Sequence, residues 1–143
     1  MNNAGRFPYQ RLPKYPHLSP EDRITWERFI DLHPRAYDSV DYDFPLAPVA
    51  EATEKARELG VSGAERLYKY RCDVVGYRDN EIHLIELKNR ASPVAIGELV
   101  QDYHIYMRDC APTLNVETYI ICRSTTPEMD FLCAQEDIFL IVL

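Results

Sequence analysis

The chain reads as an α/β domain, a central mixed β-sheet flanked by helices, preceded by an extended N-terminal arm. Three observations carry that reading. Leu67 to Tyr77 and Glu81 to Arg90 are strand-like runs joined across Asp79-Asn80, residues suited to a tight hairpin turn. Ser92-Pro93 opens a stretch in which Ile96, Leu99, Val100, Tyr103 and Met107 recur at helical spacing, so one face packs on a sheet. Ile138 to Leu143 is an unbroken apolar run, as expected of a strand covered on both faces.

The elements follow in order. Residues 1–20 hold Pro8, Pro13, Pro16 and Pro20 among aromatics and read as an arm outside the core, which leaves 21–143 as one domain. Ser19 as N-cap, with Pro20 at the first position, starts a helix whose apolar side is Ile24, Trp26, Phe29 and Ile30. It ends near His33-Pro34, because the residue before proline disfavours helical backbone. Tyr37 to Phe44 reads as an edge strand closed by Pro45 and Pro48. Residues 50–59 read as a polar surface helix stopped by Gly60. The hairpin comes next, then the helix from Ser92-Pro93 to about Arg108, then a strand from Val116 to Cys122. Thr126-Pro127-Glu128 opens a short helix before the last strand. The order α–β–(α)–β–β–α–β–α–β belongs to a layered α/β fold.

Composition narrows the function. A chain of 143 residues, 46% hydrophobic and 27% charged, makes one globular domain with a core of its own. No apolar run reaches the length of a membrane span and the first residues lack a signal-peptide core, so a cytoplasmic protein without membrane contact is expected. Cys72, Cys110, Cys122 and Cys133 have no metal-ligand spacing, and Cys72 and Cys122 read as small buried hydrophobes. The net charge of −7 argues against broad affinity for nucleic acid, although Arg6, Arg11 and Lys14 make the arm locally basic. Glycine-rich phosphate loops are absent, and the four histidines form no triad or metal pattern.

The chemistry concentrates in Arg71-Cys72-Asp73-Val74-Val75 and Ile85-Glu86-Leu87-Lys88. Strand alternation puts Glu86 and Lys88 on one face, with Leu87 and His83 on the other. The hairpin brings Asp73 alongside Glu86. Two adjacent carboxylates repel unless a cation lies between them, and Mg²⁺ held by oxygen ligands meets that need. Arg71 is placed on the Asp73 face, either to meet a phosphate or to neutralise the pair. This Asp…Glu-x-Lys pattern resembles the PD-(D/E)XK nuclease superfamily from about Trp26 onward, without the loosely kept proline before Asp73. The resemblance implies a restriction endonuclease-like core and Mg²⁺- or Mn²⁺-dependent hydrolysis of phosphodiester bonds in DNA. Asp73, Glu86 and the Leu87 carbonyl would hold the ion, and Lys88 would orient or deprotonate the attacking water. Gln101 and Tyr103 resemble the Gln and Tyr that such proteins place beside the lysine, and Glu27 the extra carboxylate of the first helix. Taken singly, Gln101 is an ordinary helix flank and Glu27 an ordinary surface glutamate.

A second reading is an adaptor that reuses such a fold. A proline-rich arm of about twenty residues stays disordered unless it docks on something, so the arm is expected to lie against other protein chains, in a homo-oligomer or larger assembly. In its small size and acidity the chain is similar to phage structural proteins of the virion neck or head–tail connector. A phage origin would place it in the host cytoplasm or the virion.

Overall fold

The computed structural model describes residues 5–46 and 70–143. Among these, six strands and three helices follow in the order β1 (Phe7–Pro8), α1 (Pro20–Leu32), β2 (Ser39–Pro45), β3 (Arg71–Arg78), β4 (Glu81–Arg90), α2 (Pro93–Cys110), β5 (Asn115–Ser124), α3 (Pro127–Gln135) and β6 (Ile138–Val142). The strands form one mixed sheet in sequence order. β1 to β4 run antiparallel in turn, whereas β4, β5 and β6 are parallel, joined through crossover helices α2 and α3. The expected α/β sandwich is the observed one. The helix expected over 50–59 and the first residues of the hairpin lie outside the described residues.

The helix starts follow the sequence signals. Ser19 Oγ accepts from the Asp22 N–H at 3.1 Å with Pro20 in the first position, and α2 and α3 each open on a proline behind Ser92 and Thr126. Helix α1 buries Thr25, Trp26, Phe29 and Ile30 against one face of the sheet and leaves Ile24 exposed. Helices α2 and α3 cover the other face, packing Leu99 and Met129 over Leu84, Ile120 and Ile138.

Two expectations are revised. The segment read as an extended arm outside the core is extended, but it packs on the α1 face of its own domain. Tyr15 is 7% exposed, and Phe7, Tyr9, Leu12 and Leu18 pack around it. The buried Asp41 carboxylate pins the start of this segment, accepting from the Arg6 N–H and the Tyr77 hydroxyl. Because β1 pairs with β2, β2 is not the sheet edge; proline-rich backbone can still lend one short edge strand. Farther along, Gly76 makes room for Tyr37, whose ring would lie 2.5 Å from an added Cβ.

One irregularity positions the site. Tyr42 and Val74 face α1, yet their neighbours two residues on, Phe44 and Cys72, pack on the α2 side. The two-residue alternation therefore slips at Asp43 and Asp73, and Asp43 takes φ 50°. The pairing of β3 with β4 runs from Arg78↔Glu81 to Val74↔Ile85 and stops there. Beyond it the Asp73 carboxylate accepts from the Leu87 N–H at 2.9 Å, so a side chain takes over a ladder bond.

Candidate active site

Glu86 stands on the α2 face of β4 and is 2% exposed. Asp102 descends on it from α2 and is 4% exposed. Asp73 reaches in from the slipped end of β3, where its charge acts on Glu86. Burial pushes the Glu86 carboxyl well above its ordinary range, and the charges of Asp73 and Asp102 push further. Burial likewise lifts Asp102 to about 6. It lifts Asp73 too, against the lowering effect of hydrogen bonds from Glu86 and the Leu87 N–H. Glu86 Oε1 and Asp102 Oδ2 are buried without a hydrogen-bond partner. Orphaned carboxylate oxygens in a dry cluster are costly. A cation held among them would remove both the orphan atoms and the repulsion, so these residues fit a divalent ion.

Lys88 leaves the sheet on the same face and donates to Glu98 of α2, at 3.1 and 3.2 Å to its two oxygens. Burial lowers its pKa, but the Glu98 bond and the charges of Glu98, Glu86 and Asp73 outweigh that, so the ammonium holds its proton more firmly than usual. On the opposite side of the sheet, Asp22 in the first turn of α1 is partly buried and raised by that burial, then by the Asp73 charge. Asp22 therefore belongs to the same electrostatic neighbourhood.

The structure brings Asp73, Glu86, Leu87 and Lys88 together as the strand pattern implied. Gln101 is exposed on the outer side of α2, and its neighbour Asp102 points inward instead. Glu27 is engaged by the Tyr15 hydroxyl at 2.9 Å and by Arg11 and Arg23. Arg71 pairs with Asp43 at 2.9 Å, because the slip turns it from Asp73 toward β2. Tyr103 is partly buried in the α2 core; Tyr106 is the buried tyrosine of that helix.

Sequence reasoning missed Asp22, Glu98 and Asp102. The spacing of Glu98 and Asp102, four residues apart, was a visible signal that both fall on one helix face. A second grouping with ligand-like spacing, Glu81, His83 and Glu117, lies at the far end of β4. There His83 is buried with Nδ1 at 2.8 Å from the Tyr37 hydroxyl and Nε2 at 2.8 Å from Glu81, while Arg78 also holds Glu81. Both ring nitrogens are satisfied, and the network is structural.

No family model matches the chain. No curated protein matches it either. Among solved structures, a repair endonuclease from Pyrococcus abyssi aligns over 92% of this chain with a TM-score of 0.52 and 16% sequence identity. This chain covers 49% of that protein, about half its length. At that identity the likeness concerns the architecture: the chain has the α/β fold of that endonuclease.

Proposed function

We propose that this domain is a PD-(D/E)XK-type nuclease that hydrolyses phosphodiester bonds in DNA with Mg²⁺ or Mn²⁺. The observation that carries the reading is the buried carboxylate cluster with orphaned oxygens, set beside a charged lysine at the splayed end of a hairpin. Asp73, Glu86 and the Leu87 carbonyl would hold the ion, with Asp22 the nearest further carboxylate from α1. A divalent ion there supplies a bound water of lowered pKa and a positive charge for the phosphate oxygens.

The remaining chemistry falls to the chain itself. Lys88 is an ammonium, so it acts as a charge and hydrogen-bond donor toward phosphate and not as the base. Glu98 holds that ammonium in place, and substrate phosphate would compete with Glu98 for it. Arg90 and Arg123 lie near the same end of β4 and β5, where a phosphate backbone would pass. The Leu87 N–H, by fixing Asp73, sets the distance between the two metal-binding strands.

The test is Mg²⁺ and Mn²⁺ titration by calorimetry on the wild type and Asp73→Asn, with plasmid nicking assayed on the same samples. Binding and nicking that disappear together in the variant are expected. Wild-type protein that binds neither ion and nicks nothing would overturn the proposal.

A further inference from the structure

We propose that Cys72, Glu86 and Asp102 form a mixed thiol–carboxylate site for a thiophilic divalent cation of the Zn²⁺ or Cd²⁺ class. The Cys72 Sγ and one carboxylate oxygen from each of Glu86 and Asp102 lie within 4.8 Å of one another. Bonds of about 2.3 Å to sulfur and about 2.0–2.2 Å to oxygen span up to roughly 4.5 Å, so a small side-chain adjustment closes the three donors on one ion. All three residues are buried, and two of the donor groups carry the unpartnered oxygens Glu86 Oε1 and Asp102 Oδ2. A buried polar atom without a partner is rare enough to ask for a ligand.

The slip at Asp73 is what creates the site. Regular alternation would turn Cys72 away from Glu86; the slip sets it on the α2 side with Glu86 and Asp102. Its Sγ is placed by the Val74 and Ile85 carbonyls, at 3.3 and 3.6 Å. A hard ion such as Mg²⁺ has little affinity for sulfur and would use the carboxylates alone. A thiophilic ion draws on Cys72 as well: the sulfur–metal bond forms as the thiol proton leaves to solvent. The site stands without the nuclease reading, but the two share Glu86, so binding of the soft ion and binding of Mg²⁺ are coupled.

The experiment is Cd²⁺ titration of the full chain carrying Cys110→Ser, which removes the exposed thiol, followed by ultraviolet sulfur-to-metal charge-transfer absorption. One equivalent of Cd²⁺ should give the band, Mg²⁺ should not, and excess Zn²⁺ should displace it. Cys72→Ala in that background should abolish the band, and Asp102→Asn, which preserves volume, should weaken Cd²⁺ binding at least about tenfold. Asp73 lies outside the trio, so Asp73→Asn should keep the band while losing Mg²⁺ binding and nicking. The inference is overturned if no band forms, if it survives Cys72→Ala, or if Asp102→Asn binds Cd²⁺ as the parent does. A band without nicking in the wild type would count against the nuclease reading alone, and nicking without a band against this site alone.

Discussion

Asp73 does two opposed things. Its carboxylate satisfies the Leu87 N–H beyond the end of the β3–β4 ladder, and its charge burdens Glu86 beside it. Replacement by asparagine keeps an acceptor oxygen and removes the charge; replacement by alanine removes both. Asp73→Asn should therefore be at least as stable as the wild type in metal-free buffer. Asp73→Ala should be less stable than Asp73→Asn by about 1–2 kcal/mol, the cost of a buried N–H left alone. Urea unfolding of the three proteins checks the order, and both variants should lose nicking by roughly a hundredfold or more. Asp102 gives a pH dependence with a definite sign. Its carboxyl moves from an ordinary 3.8 to about 6 on folding, so the native state holds the proton more tightly than the unfolded chain. Its contribution is then fully present below about pH 4 and is lost as pH rises to about 6, on the order of 1–3 kcal/mol because Glu86 and Asp73 share the titration. Asp102→Asn should be more stable than the wild type at pH 7 and about equal to it at pH 4, by denaturant midpoints in the presence of a chelator.

At the scale of elements, α2 shows why part of the site was hidden. The apolar pattern set the buried stripe at Ile96, Leu99, Val100, Tyr103 and Met107, whereas the deeply buried positions are Ala95, Leu99, Asp102 and Tyr106. A carboxylate inside the buried stripe breaks hydrophobic periodicity, and the phase read from apolar residues alone turns by about one position. Gln101 was nominated by the family resemblance, whereas the inward residue beside it is Asp102. The hairpin register, in contrast, was readable from Asp79-Asn80 and the two flanking runs, and it brought Asp73 to Glu86. The slip at Asp43 and Asp73 left no mark in the sequence, so Cys72 read as an ordinary core residue. The N-terminal segment was misjudged because proline suggests exclusion from a sheet, while its aromatics fill the α1 face. Tyr15 contacts Tyr42, accepts from the Leu12 N–H and donates to Glu27. Tyr15→Ala should cost about 3–4 kcal/mol by thermal or urea unfolding, in the range for a buried aromatic. Because these contacts lie within the chain, deleting residues 1–14 should lower the melting temperature without changing the sedimentation coefficient beyond the lost mass. A change of oligomeric state would return weight to an arm that binds other chains.

The whole molecule carries a net charge of −7, and two of its three most buried acidic groups, Glu86 and Asp102, meet at one end of one hairpin. Long-range attraction for DNA is weak under that charge, so the proposed DNA binding would depend on local cations: Lys88, Arg90, Arg123 and any metal ion. If the cluster holds an ion as proposed, the native state would be a far better ligand for divalent cations than the unfolded chain, where the carboxylates are dispersed. A ligand that binds only the native state stabilises it by RT ln(1 + [L]/Kd), about 2.7 kcal/mol at a hundredfold excess over Kd. Addition of Mn²⁺ or Mg²⁺ should therefore raise the melting temperature, by roughly 5–11 °C at that excess for a domain of this size. The increase should grow with the logarithm of ion concentration, fall as the pH drops and the cluster takes up protons, and vanish in Asp73→Asn. Differential scanning calorimetry across a metal series at pH 5 and pH 7.5 makes the comparison. A shift of equal size in Asp73→Asn would mean that the ion acts on surface carboxylates, and the buried cluster would then be a structural strain without a cation to relieve it.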